Sequence, residues 1–304
     1  MKRVLSNKWS IMVFVLPTVL FFTCIVILPI ITSVYYSMLD WTPKTKPTLE
    51  YFVGIQNYIT MFTEKRATFP DAALHSLIYA AVSVFVQLPF SLFIALILSH
   101  GVKGENLYRN IFFIPVIISS VVVGQLWMKI YNNDYGPLNM LLRLFNLPTP
   151  KSGWLATKET KLWAVFIPNL WQYVGYHMLL MYGALRSISS DIIEAATVDG
   201  ATGARLALKI QIPLIKPMLK VCLSFSLIGS FKLFDTPYIL LGSSMKNAEL
   251  PAVNMYFEMF KNHRYGVGSA EAMFIVVECL VFTVLLNILF REEKDKGGRR
   301  LAGA

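Results

Sequence analysis

Apolar residues along this chain fall in long blocks, without the short periodic alternation of a water-soluble fold. Residues 11–39 (IMVFVLPTVLFFTCIVILPIITSVYYSML) carry no charge over 29 positions, more than the roughly 20 residues a helix needs to cross the hydrocarbon layer. Five further blocks follow at about 72–99, 108–130, 162–185, 218–241 and 269–290. The pattern predicts an all-α integral membrane protein with about six transmembrane helices. Residues 11–39 form the first helix, and 72–290 form a core with five more. Pro89, Pro115, Pro168, Gly229 and Pro237 fall inside these blocks, and such residues are tolerated in spans where neighbouring helices re-satisfy the backbone.

Composition supports this reading, with 55% hydrophobic and only 15% charged residues against about 25% charge in soluble domains. The net charge of +10 does not indicate nucleic acid, because the basic residues flank helices and form no stripe. With the N-terminus inside, the inner segments 1–10, 100–110, 186–220 and 291–304 hold 15 Lys/Arg in 70 residues, and the outer segments hold 11 in 90. That is the positive-inside bias, and an even number of spans then puts both termini in the cytoplasm. The tail 291–304 is charged, then small, and reads as solvated. The first apolar block exceeds the 7–15 residues of a signal-peptide core and is read as a retained helix. Cys24, Cys222 and Cys279 all fall in predicted spans and suggest no disulfide framework or metal site. The four histidines are scattered, no catalytic constellation is visible, and the Gly-x4-Gly-Lys-Ser/Thr phosphate loop is absent. The chain is therefore not expected to bind ATP, a metal or another cofactor by itself.

Polar groups inside the blocks are the candidate chemistry. In the fourth block Asn169, Gln172, Tyr173 and Tyr176 share a helix face, with His177 at its edge. Such a stripe is costly against lipid and should face other helices or a wet cavity. Amides, hydroxyls and rings together suit a sugar, and they equally suit helix–helix hydrogen bonding. In the fifth block Lys232 and Asp235 are three apart, so on one helix they would meet and neutralise each other; they are also candidates for a transport path. In the sixth block Glu271 is expected near the outer edge, in reach of water, and Glu278 lies deeper with no evident partner. Ser120 and Gly124 form a small-xxx-small pair suited to close helix packing.

Between the fourth and fifth blocks, residues 186–217 are rich in small and charged residues. Asp191 followed by Glu194 fits a capping-box-like helix start. A short helix through Glu194-Ala195-Ala196 would stop at Asp199-Gly200, where glycine can turn the chain at positive φ. Thr202 could cap a second short helix, ended by Pro213 and Pro217. Glu194-Ala195-Ala196, three residues, Gly200, nine residues, Ile210, one residue, then Ile212-Pro213 resembles the signature loop of bacterial ABC importer permeases, usually written EAA-x3-G-x9-I-x-L-P. Ile212 replaces the usual leucine. "LYRNIFFIPVIISSVVVGQLW" and "ALRSISSDIIEAATVDGA" look like the maltose-transporter-like, oligosaccharide-importing branch. The first block resembles the first of that branch's two permeases. "YILLGSSMKN" departs from the Thr-Gly-Gly-Pro-like turn common there.

The resemblance implies a bacterial plasma-membrane subunit that works with a second homologous permease, two ATPase subunits, an extracellular solute-binding protein and a sugar substrate. ATP and magnesium would be bound by the ATPases. It further implies that the 186–217 loop docks on an ATPase. Glu194 would make polar contacts, Ala195 and Ala196 would pack in a groove, Gly200 would supply the turn, and Asp199, Ile210 and Pro213 belong to the same loop. The subunit itself would be no enzyme. The alternative is a secondary transporter driven by an ion gradient through buried carboxylates such as Asp235 or Glu278.

Overall fold

A computed structural model describes residues 8–64, 68–242 and 244–290. The tail 291–304 and most of the N-terminal segment 1–10 lie outside the described residues. The described chain is helical, with no β-strand and one isolated bridge, Leu39 to Phe52. Four helices are long and apolar enough to cross a membrane: α1 (Met12–Ser37), the helix Phe69–Ser99, the bent helix Lys216–Leu241 and the helix Tyr265–Leu289. A fifth span exists if Glu105–Ile117 and Ser120–Ile130, bent by 99° at a short break, count as one. The sixth predicted span lies within Lys158–Arg186, whose 29 residues reach about 43 Å at 1.5 Å per residue. Its polar residues dilute its hydropathy, and Asn169, Gln172 and His177 among them are buried. They face protein, which is how such a helix is accommodated at membrane depth.

In chain order, α2 is Gln56–Thr63, α3 Phe69–Ser99, α4 Glu105–Ile117, α5 Ser120–Ile130, α6 Pro137–Leu144 and α7 Lys158–Arg186. Then come α8 (Ser190–Val198), α9 (Gly203–Leu206), α10 (Lys216–Phe231), α11 (Asp235–Leu241), α12 (Pro251–Phe260) and α13 (Tyr265–Leu289). Widened π-turns occur at Thr23–Ile27, Ser83–Gln87 and Ala207–Gln211. Each lies just before a proline: Pro29, Pro89 and Pro213. Proline has no N–H, and its ring crowds the carbonyl four residues earlier. The helix widens to relieve that crowding, and the residue before each proline bonds five residues back, as Leu88 does to Ser83.

The chain divides into two compact units. The first comprises the residues up to Ala72 and Pro251–Val277. Here Asn57 donates to the Ser37 and Leu39 carbonyls at 2.9 and 2.8 Å, closing the chain just past α1. Arg264 pairs with Glu64 at 2.7 Å and with Glu258 at 3.4 Å. Glu271 does not reach water as expected. It is 1% exposed and accepts a 2.8 Å bond from Asn254, because α12 folds back over that end of α13.

The second unit comprises Ala73–Leu250 and the residues from Glu278 onward, and it is built around α7. Gln87 and Ser91 of α3 donate to the Leu170 and Val174 carbonyls of α7 at 2.8 and 3.0 Å. A Cβ on Gly175 would lie 1.8 Å from the Phe112 carbonyl oxygen, so α7 and α4 meet backbone to backbone there. A Cβ on Gly124 would lie 2.6 Å from Ile239, so the small-xxx-small pair packs α5 on α11 through Gly124. Buried Lys161 donates to the Ser244 and Lys246 carbonyls at 3.0 and 3.1 Å, pinning the connection after α11.

Candidate functional site: a polar cavity and a projecting hairpin

Inside the second unit the helices enclose a cavity of about 340 Å³. From α7, Asn169, Tyr173 and Tyr176 line it, together with His177. The π-turn of α3 contributes Ser83 and Gln87, and α10 contributes Phe225, Ser226, Gly229 and Ser230. Ser83 bonds Ser226 at 2.7 Å and also donates to the Gln87 side-chain oxygen, so α3 and α10 are tied across the cavity floor. Tyr176 sits against Phe225 with ring centroids 6.2 Å apart. A Cβ at Gly229 would meet nothing within 4 Å, so this glycine leaves space open. Asn169 Nδ2 and His177 Nδ1 are buried with no hydrogen-bond partner in the chain. Buried polar atoms without partners are rare, and both belong to residues that line the cavity, although the two atoms themselves have almost no accessible surface.

Gln172 shares the predicted face but does not line the cavity. Its Nε2 donates to the Ile118 carbonyl at 3.1 Å, in the break between α4 and α5. A helix end leaves carbonyls without partners, and on the other side of the break Ser119 caps α5 by accepting from the Val122 amide at 3.4 Å. Gln172 is thus a helix-packing residue. Replacing it with leucine should lower stability by about 0.5–1.5 kcal/mol, the net worth of one hydrogen bond. A thermal melt of the purified protein checks this, and an unchanged melting temperature would remove the assignment.

Lys232 and Asp235 both line the cavity, but not as a pair on one helix. Helix α10 ends at Phe231 and α11 begins at Asp235, with Phe234 at φ −129°, ψ −57° between them. The three-residue spacing therefore no longer brings the side chains together, and no ion pair within 4.0 Å joins them. Both side chains belong to exposed residues. Glu278 is buried, and its Oε2 has no hydrogen-bond partner.

The 186–217 segment forms a helical hairpin. The N-cap of α8 is Ser189, not Asp191, which lies in the first turn, so the capping-box reading with Glu194 does not hold. Helix α8 ends at Gly200 with φ +80°. The Ala201 amide bonds the Ala196 carbonyl at 2.8 Å and the Gly200 amide bonds Thr197 at 3.0 Å, the paired closure of a Schellman motif. Thr202 occupies the N-cap of α9 without a side-chain bond. Ile210 lies in the π-turn, Pro213 follows it, and the chain bends at Ile215 before α10. Ala196 is buried, whereas Glu194, Ala195, Asp199 and Gly200 are exposed. Val198 is 87% exposed at the tip; it lies inside the motif's variable stretch, where spacing alone gave no signal.

Residues 87–293 match the family described as the binding-protein-dependent transport system inner membrane component. The chain belongs to this family of permeases. It is 30% identical over 294 residues to the probable ABC transporter permease protein YurN of Bacillus subtilis, covering 96% of this chain and 99% of that protein. It is 28% identical to AmyD of Thermoanaerobacterium thermosulfurigenes, a probable starch degradation products transport system permease, covering 90% of each. Among solved structures, a chain of a bacterial alginate ABC transporter, in complex with its alginate-bound periplasmic protein, superposes with a TM-score of 0.80. That match has 23% identity and covers 93% of this chain and 94% of that one. The permease is accordingly a multi-pass membrane protein with the fold of ABC transport permeases, and the hairpin lies within the family match.

In this permease the cavity also draws on residues the sequence reading passed over. Ser83 and Gln87, with Ser91 one turn on, recur every four residues through an otherwise apolar block. That spacing is a polar stripe on α3 facing the stripe on α7, and it was available as a signal.

Proposed function

We propose that this permease forms, with a second homologous permease, the path of an ATP-driven importer for sugars or oligosaccharides. Two ATPase subunits would carry ATP and magnesium, one of them docking on the 186–217 hairpin, and an extracellular binding protein would deliver the solute. Both termini would then be cytoplasmic, consistent with the charge bias. The observation that carries the reading is the cavity, where amide, hydroxyl and ring groups converge among apolar helices. Sugars need hydrogen-bonding groups for their hydroxyls and rings for their apolar faces. The relative named for starch degradation products adds support from its own substrate.

The hairpin supplies the second half of the reading. Its exposed Glu194, Ala195 and Val198 present a small, prefolded surface, and its base continues directly into α7 and α10. A push on the hairpin would tilt the helices that line the cavity. The permease would do no bond chemistry.

The test is reconstitution with the ATPase, second permease and binding protein, measuring uptake and substrate-stimulated ATP hydrolysis. Uptake should require ATP and should fall about tenfold in Tyr176→Ala, since one ring–sugar contact is worth roughly 1–1.5 kcal/mol. Uptake that follows an ion gradient and ignores ATP would overturn the proposal in favour of a secondary transporter.

A further inference from the structure

We infer that the cavity selects solutes with no net charge, and that Lys232 and Asp235 are its specificity-determining pair. This rests on reading the cavity as a sugar path. Lys232, just past the end of α10, and Asp235, the first residue of α11, both line the cavity. Neither makes an ion pair within 4.0 Å. Neither side chain has a hydrogen bond to another described residue. Besides these two the lining holds no Lys, Arg, Asp or Glu, and its one histidine, His177, has no carboxylate within 4.0 Å. The cavity therefore carries one fixed charge of each sign, both available to a solute.

An anionic sugar would be attracted by Lys232 and repelled by Asp235, and it would also have to give up its hydration on entering. A cationic sugar meets the mirror image. A neutral polyol faces no such conflict: its hydroxyls can donate to Asp235 and accept from Lys232, and charge-assisted bonds of this kind are about twice as strong as neutral ones. Opposite charges so placed act as a filter on net charge and as a grip on hydroxyls together. The alginate transporter named above handles an acidic polysaccharide, and its likeness to this chain extends to the fold alone.

The experiment measures binding by saturation-transfer NMR to the permease in its assembled complex in nanodiscs at pH 6. The probes are a set of neutral trisaccharides of glucose, xylose and galactose, trigalacturonate as the acid, and the chitosan trimer as the base. The wild type should bind at least one neutral probe about tenfold more tightly than either charged one. Asp235→Asn should narrow the neutral-to-acid ratio about tenfold without helping the base, and Lys232→Gln should do the reverse. These opposite shifts are a charge signature that a merely structural role would not give. If both variants weaken all three probe classes by one common factor, or leave the ratios unchanged, the inference is overturned while the sugar path stands. If the wild type binds no neutral sugar, the sugar path itself fails, and the inference with it.

Discussion

Gly175→Ala is expected to abolish the stably folded permease. The added Cβ would fall 1.8 Å from the Phe112 carbonyl oxygen and 2.5 Å from its carbon. Both are backbone atoms, so no flexible side chain can swing aside, and α7 and α4 would have to separate. Overpacking commonly costs about 1–3 kcal/mol, and a backbone-to-backbone clash belongs at or above the top of that range. The matched control is Gly183→Ala on the same helix, where the added Cβ meets nothing within 4 Å. That variant should be neutral, or more stable by up to about 1 kcal/mol, because alanine is the better helix former. Fluorescence-detected size exclusion after a temperature series reads both variants. Equal melting temperatures for Gly175→Ala and wild type would show that the two helices do not meet there.

Gly200→Val should separate insertion from coupling. The residue sits at φ +80° with open space around its missing Cβ, so the penalty is purely one of backbone conformation. A left-handed backbone costs an L-residue about 1–2 kcal/mol, with a β-branched residue at the high end. The Schellman closure, with its Ala201–Ala196 and Gly200–Thr197 bonds, would be populated about tenfold less. Membrane-inserted protein should remain at wild-type levels, while uptake and substrate-stimulated ATP hydrolysis drop about tenfold or more. Asparagine tolerates this backbone region, so Gly200→Asn should recover most of the activity. Wild-type uptake by the valine variant would exclude the hairpin as the coupling element.

What could be read in the sequence differs from element to element, for physical reasons. The first span needed only its uninterrupted apolar length. The Gly200 turn was legible because a helix stop at positive φ leaves few choices of residue. The bend between α4 and α5 was hidden, since "IPVIISSVVVG" is apolar on both sides of the break and hydropathy is indifferent to direction. A polar stripe on α7 was visible, but not the division of labour within it. Gln172 bonds a carbonyl exposed by that hidden bend, whereas Asn169 borders the cavity. Lys232 and Asp235 were read as helix neighbours because the apolar run continued past them. The signal against that reading was Pro237, which fits the first turn of a new helix better than the middle of an old one. The burial of Glu271 was hidden because its partner, Asn254, lies on a helix too short and too mixed in polarity to stand out.

The notch at Gly175 also constrains how α7 can move. A carbonyl seated where a side chain is missing acts as a detent, since sliding α7 along α4 would drive the Phe112 oxygen into the side chains of the neighbouring turns. Tilting about that point leaves the carbonyl seated in its notch. Asn169 lies on one side of it and Arg186, where the hairpin begins, on the other, with about 26 Å of continuous helix between them. With Gly175 as the pivot, a tilt that moved the Arg186 end one way would carry Asn169 the other way, while Tyr176 and His177, one and two residues past the pivot, would hardly shift.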